Sequence, residues 1–102
     1  MADFVEICPV GDIPATEPLT LEVDGIPIAI GRVGDKFYAI EDRCPHQGSS
    51  FDGGEIEDDI LTCPLHGWRT NLVTGQSLDV PSLHVKTFPV EIRDGKVYLK
   101  LD

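Results

Sequence analysis

Apolar and polar residues alternate with a period of two at both ends of the chain, and that period belongs to strands rather than helices. Leu19, Leu21 and Val23 alternate with polar neighbours, and Asp24-Gly25 then offers a tight turn. Ile26 to Val33 is a second apolar run, closed by the turn signal Gly34-Asp35. Lys36 to Ile40 is a third strand, rich in aromatic and β-branched residues. Nothing in the first 40 residues reads as helix. The same grammar returns at the end, where Val85 to Arg93 alternates, Asp94-Gly95 turns, and Val97, Leu99 and Leu101 alternate back. Short strands separated by regular turn signals predict an all-β fold, an antiparallel sandwich or small barrel.

Residues 42 to about 82 interrupt this pattern. They hold Pro45, Gly48, Gly53-Gly54, Pro64, Gly67, Gly75 and Pro81. One short strand, Ile60-Leu61-Thr62, is predicted inside, and the acidic run Glu55 to Asp59 reads as a solvated loop. A long Gly-rich insertion with little regular structure usually has a functional reason to exist. The expected organisation is a single domain over 1–102. Residues 1–41 and 83–102 would form a basal β part, and 42–82 a loop-rich part carrying the site.

Charge narrows the possible partners. The 102 residues carry 18 acids against 8 bases, a net charge of −10. A nucleic-acid phosphate backbone or an anionic membrane surface would demand the opposite sign. The acidity serves solubility, or steers the chain toward basic docking sites on its partners. No apolar run approaches the roughly 18 residues of a membrane span. Met1-Ala2-Asp3-Phe4 lacks the basic and apolar regions of a secretory signal, so a cytoplasmic location is expected. Three cysteines in a reducing compartment do not suggest a disulfide framework. Cys8, alone among apolar neighbours, reads as a buried strand cysteine.

The candidate chemistry lies in two short loops. One reads Cys44-Pro45-His46-Gln47-Gly48-Ser49 and the other Cys63-Pro64-Leu65-His66-Gly67-Trp68. The pattern is C-x-H, then 16 residues, then C-x-x-H. Each loop offers one soft thiolate and one imidazole, so Cys44, His46, Cys63 and His66 together make a four-ligand set. A proline after each cysteine stiffens the loop. Gly48 and Gly67 would let the backbone pass close to a bulky inorganic core and bring amide N–H groups near its sulfurs. A structural Cys2His2 zinc site has this ligand set, although its usual C-x2–4-C and H-x3–5-H spacings are absent. Trp68 reads as packing over the site, and Gln47 and Leu65 as parts of an exposed tip. His84 has no cysteine beside it and reads as a surface or strand histidine. Asp52 and Glu55 are not placed as a general acid and base, and no nucleophile-plus-base arrangement is evident, so the chain does not read as an enzyme.

Over its whole length the sequence resembles the Rieske ferredoxin family, and within it the small ferredoxins of bacterial aromatic-ring dioxygenase systems. The resemblance rests on the two loops and on Cys8-Pro9-Val10-Gly11-Asp12-Ile13-Pro14, Phe37-Tyr38-Ala39-Ile40 and Leu65-His66-Gly67-Trp68. It implies antiparallel sheets with a cluster-binding subdomain at one end, and one [2Fe–2S] cluster per chain. It further implies Cys44 and Cys63 on a buried iron, with His46 and His66 on an outer iron as the electron's exit. Two ferric ions, two sulfides, two thiolates and two neutral imidazoles sum to zero charge, which eases reduction compared with a four-cysteine cluster. The implied role is a monomeric electron carrier between a flavin-containing, NADH-dependent reductase and a terminal Rieske non-haem iron oxygenase. The aromatic substrate would be the oxygenase's choice. The alternatives are an accessory subunit resembling nitrite reductase small subunits, many of which lack the ligands this chain keeps, and a zinc-stabilised interaction module. Respiratory Rieske proteins carry an extra bridging cysteine in each loop, where this chain has Ser49 and Leu65. Their cluster-donating serine and tyrosine correspond to Trp68 and Thr70, which implies a low reduction potential here.

Overall fold

The computed structural model describes residues 4–45, 48–65 and 67–101. Ten strands follow one another: β1 (Phe4–Pro9), β2 (Leu19–Val23), β3 (Ile26–Val33), β4 (Lys36–Glu41), β5 (Glu55–Glu57), β6 (Ile60–Thr62), β7 (Arg69–Asn71), β8 (Thr87–Phe88), β9 (Val90–Arg93) and β10 (Lys96–Lys100). They form three antiparallel sheets, in the orders β1-β10-β9, β2-β3-β4-β8 and β5-β6-β7. The all-β reading is borne out. Among the described residues the helical content is one 3₁₀ turn, Val10–Asp12, after β1. At the two Asp-Gly turns even the aspartates are left-handed, with φ of 51° at Asp24 and 50° at Asp94. Such turns match the twist of the strands they join.

Three details depart from the alternation pattern, each for a physical reason. The run Val85 to Arg93 is not one strand, because Pro89 has no N–H for a ladder. Phe88 pairs back onto Ala39 of β4, while Val90 pairs with Leu99 of β10, so the chain changes sheets at the proline. The acidic run is not wholly loop. Glu55 and Glu57 point outward while Ile56 is buried, which makes β5 the edge of a three-stranded meander over the site. Cys8 is half-buried rather than buried, since β1 is an edge strand with a bulge between Glu6 and Cys8.

Both faces of β3 and β4 are covered. Ile28, Ile30 and Ala39 join Ile13, Phe88, Val97 and Leu99 in one apolar cluster. Ala29 and Ile40, pointing the other way, join Cys44, Phe51, Ile56, Leu61, Cys63, Leu72 and Val85 in the other. Gly31 shares the face of Ala29, and a Cβ there would lie 2.3 Å from a Leu72 methyl and 2.7 Å from an Ile56 methyl. The glycine lets the layer carrying the site settle onto β3.

Candidate metal centre

Loop one leaves β4 at Asp42, whose N–H donates to the Pro27 carbonyl at 2.9 Å. The Asp42 carboxylate then accepts the Ser50 hydroxyl at 2.6 Å and the Phe51 N–H at 2.7 Å. This clamp closes the loop from below. Inside it, the Cys44 N–H donates to the Ser49 carbonyl at 2.8 Å and the Gly48 N–H to the Cys44 carbonyl at 2.7 Å. Loop two joins β6 to β7 and repeats the frame. The Cys63 N–H donates to the Trp68 carbonyl at 2.7 Å, and the Gly67 N–H to the Cys63 carbonyl at 3.0 Å. Gly48 and Gly67 have φ of +73° and +72°. Glycine is required by that left-handed backbone, and its N–H serves the loop carbonyl, not a sulfur as the sequence suggests. The two loops share one backbone frame, although their histidines stand one place apart. His46, Gln47 and His66 lie outside the described residues.

The two thiols reach one apolar region. Cys44 and Cys63 are each 1% exposed and belong to the cluster with Phe51, Leu61, Leu72 and Val85. Trp68 is half-buried and packs against that cluster, as expected. The Ser49 Oγ lies 4.0 Å from Cys63 Sγ, across the gap between the loops. The Thr70 hydroxyl is fully buried and has no hydrogen-bond partner among the described residues. Open clefts of about 450 Å³ flank the loops. One lies beside Arg43, Pro45 and Gly48 of loop one, and the other beside Glu55, Pro64 and Gly67 of loop two. The Arg69 N–H and guanidinium both donate to Asp79, at 2.8 and 2.9 Å, fastening the exit of loop two. Leu65 is 63% exposed at the loop tip. His84 is exposed, bridges in register to Gln76, and lines the cleft beside loop one. Cys8 stands apart from them in the other apolar cluster, where burial, and then the Asp12 charge, push its thiol pKa up.

Two buried thiolates with no compensating charge would be very costly in such surroundings. Ferric iron removes that cost, and two soft sulfur donors suit an iron–sulfur core. The residues present therefore fit a [2Fe–2S] cluster. Sequence reasoning overlooked the Asp42 clamp and the Ser49–Cys63 contact.

An all-β frame that buries one cysteine from each of two matching loops is the arrangement expected of an iron–sulfur protein of the Rieske class. The Rieske [2Fe-2S] domain matches residues 3–89, and the chain belongs to that family, whose domain carries one cluster. It is 40% identical over 96 residues to the 3-phenylpropionate/cinnamic acid dioxygenase ferredoxin subunit of Shigella flexneri serotype 5b (strain 8401), covering 92% of this chain and 90% of the relative. It is 36% identical over 98 residues to ferredoxin CarAc of Metapseudomonas resinovorans, covering 94% and 92%. Among solved structures, a complex of reduced oxygenase and oxidized ferredoxin in carbazole 1,9a-dioxygenase contains a similar chain. That match has a TM-score of 0.83 at 34% identity, over 93% of this chain and 99% of the other. These relatives are named as ferredoxins, electron carriers rather than catalysts. Among the described residues no helix is long and apolar enough to cross a membrane.

Proposed function

We propose that the chain is the ferredoxin component of an aromatic-ring-hydroxylating dioxygenase system. It accepts single electrons from a flavin-containing, NADH-dependent reductase and delivers them to the terminal oxygenase, acting as a cytoplasmic monomer. Cys44, His46, Cys63 and His66 are the ligands. The observation that carries this reading is the pair of matching loops, each presenting one buried cysteine in a chain of the Rieske family. The bound cluster supplies a one-electron redox couple. The protein's residues insulate and present it. Phe51, Leu61, Leu72 and Val85 keep water from the sulfurs. Exposed Pro64, Leu65 and Gly67 beside His66 offer an uncharged tip that is cheap to desolvate in a brief encounter. The net charge of −10 pulls basic partner surfaces toward the molecule from a distance.

The test is direct. The purified protein should be red-brown, hold two irons and two labile sulfides, and take up one electron. Mixed anaerobically after reduction, it should pass that electron to an oxidised terminal oxygenase of a phenylpropionate-type or carbazole-type system. A colourless protein with one zinc per chain, or a reduced protein that no ring-hydroxylating oxygenase reoxidises, would contradict the proposal.

A further inference from the structure

Ser49 touches both cysteines of the site. Its carbonyl accepts the Cys44 N–H at 2.8 Å, and its hydroxyl oxygen stands 4.0 Å from Cys63 Sγ in the opposite loop. Its position is held from both sides. The Gly48 N–H bond to the Cys44 carbonyl, at 2.7 Å, holds the backbone before it, and the next two residues, Ser50 and Phe51, are bound to the Asp42 carboxylate at 2.6 and 2.7 Å. The frame therefore aims the hydroxyl at loop two, and the side chain does not have to find the sulfur by chance. The separation is at the outer reach of a sulfur acceptor, where the charge on the sulfur decides how strong the contact is.

In the free thiol either atom can donate. A metal-bound Cys63 is a thiolate and has no proton to give, so the hydroxyl must be the donor. We propose that the Ser49 hydroxyl donates a hydrogen bond to Cys63 Sγ, coupling the two loops and making the bound cluster easier to reduce. The proposal rests on Cys63 being a cluster ligand. An added electron places more negative charge on the sulfurs, and a donor aimed at one of them stabilises the reduced form more than the oxidised form. Ser49 is thus a positioning residue that acts through Cys63. It supplies a donor at a place that reads in the sequence only as a missing bridge.

The experiment compares wild type, Ser49→Ala and Ser49→Thr by protein-film voltammetry. Iron and sulfide are counted in each, and the iron–cysteine stretching bands are recorded by resonance Raman in H2O and D2O. Ser49→Ala should lower the equilibrium constant for reduction several-fold, up to about tenfold, which is about 59 mV for one electron. Ser49→Thr, which keeps the hydroxyl, should stay close to wild type. A D2O shift of the stretching bands should be present in wild type and smaller in Ser49→Ala. If Ser49→Ala retains two irons and two sulfides with an unchanged potential, the proposal is overturned. A Ser49→Thr potential displaced as far as that of Ser49→Ala overturns it too. If Ser49→Ala holds no cluster, Ser49→Thr decides, a wild-type potential supporting the proposal and a lowered one overturning it. A wild-type protein without iron would overturn the ligand assignment beneath it, which the iron and sulfide counts distinguish.

Discussion

The two cysteine loops have the same backbone and different supports. Loop one hangs from a side chain, the Asp42 carboxylate that binds Ser50 and Phe51. Loop two is held by strands on both sides, β6 pairing with β7 through Ile60↔Asn71, Leu61↔Thr70 and Thr62↔Arg69. Yet each closes with a Cys N–H to the carbonyl five residues on, and with a left-handed glycine N–H back to the Cys carbonyl. The loop frame is therefore set by the Cys-to-Gly spacing and not by what surrounds it. The histidine's place within the frame differs, third in loop one and fourth in loop two. The loops share a scaffold without being interchangeable.

Moving the histidine breaks that comparison most severely. The double change His46→Gln with Gln47→His puts the loop-one imidazole at the loop-two position while leaving Cys44, Gly48 and the frame intact. It should lose the cluster as completely as Cys44→Ser or Cys63→Ser, read as iron and labile sulfide per chain after purification. Full iron retention in the shifted variant would mean that the histidine's place is not specific.

The Asp42 clamp should divide the loops next. Asp42→Ala leaves the Phe51 N–H without its acceptor, in a residue that is itself fully buried, and should cost about 2 kcal/mol in urea unfolding, judged by the usual penalty for an orphaned donor. Iron should then be released faster on dilution into chelator. Arg69→Ala removes the exposed ion pair at the exit of loop two and should scarcely move the unfolding midpoint, because the strands remain. Equal losses from the two variants would show the supports to be equivalent. Gly48→Ala and Gly67→Ala should each cost about 1–2 kcal/mol, the usual penalty for a Cβ at left-handed φ. Neither site is crowded, with Arg43 Nε 3.8 Å from a Cβ at Gly48 and nothing within 4 Å at Gly67, so the two costs should match.

The smallest effect concerns the half-buried thiol far from the loops. Desolvation raises the pKa of Cys8, and the Asp12 charge adds to it. The native state therefore holds the thiol proton at a pH where the unfolded chain has released it. The stabilisation is complete below the unfolded thiol value and is lost as pH rises through the folded one. Between pH 8 and 10, wild type should lose slightly more stability than Cys8→Ala in paired urea titrations. Parallel curves would show that the thiol does not contribute.

Much of this was legible in the chain. Period-two alternation found β2 and β10, whose turns have known chemistry, while β3 showed as an unbroken apolar run and β4 as an aromatic and β-branched one, because both faces of that pair are covered. It missed the change of sheets at Pro89, since alternation records burial but not which neighbour does the burying. It missed β5 because its one apolar residue, Ile56, lies between glutamates in an acidic run that reads as a solvated loop, whereas the equally short β6 carries adjacent Ile60 and Leu61. The cysteine positions and the all-β class followed from spacing and resemblance. The Asp42 clamp and the reach of Ser49 across the loops depend on tertiary approach, which no local pattern contains.

This Rieske chain is expected to be a low-potential carrier suited to feeding a ring-hydroxylating oxygenase. The resemblance to respiratory Rieske proteins implies Trp68 and Thr70 in place of their serine and tyrosine donors, and the Ser49 contact is at the edge of bonding distance, so less of the negative charge that reduction puts on the sulfurs is expected to be relieved. The most direct measurement is the midpoint potential of the wild-type protein near neutral pH by protein-film voltammetry. The expected value lies near the low end of the Rieske range, about −150 mV, far from its upper end of about +300 mV. A midpoint well above 0 mV would contradict the claim and the dioxygenase role with it.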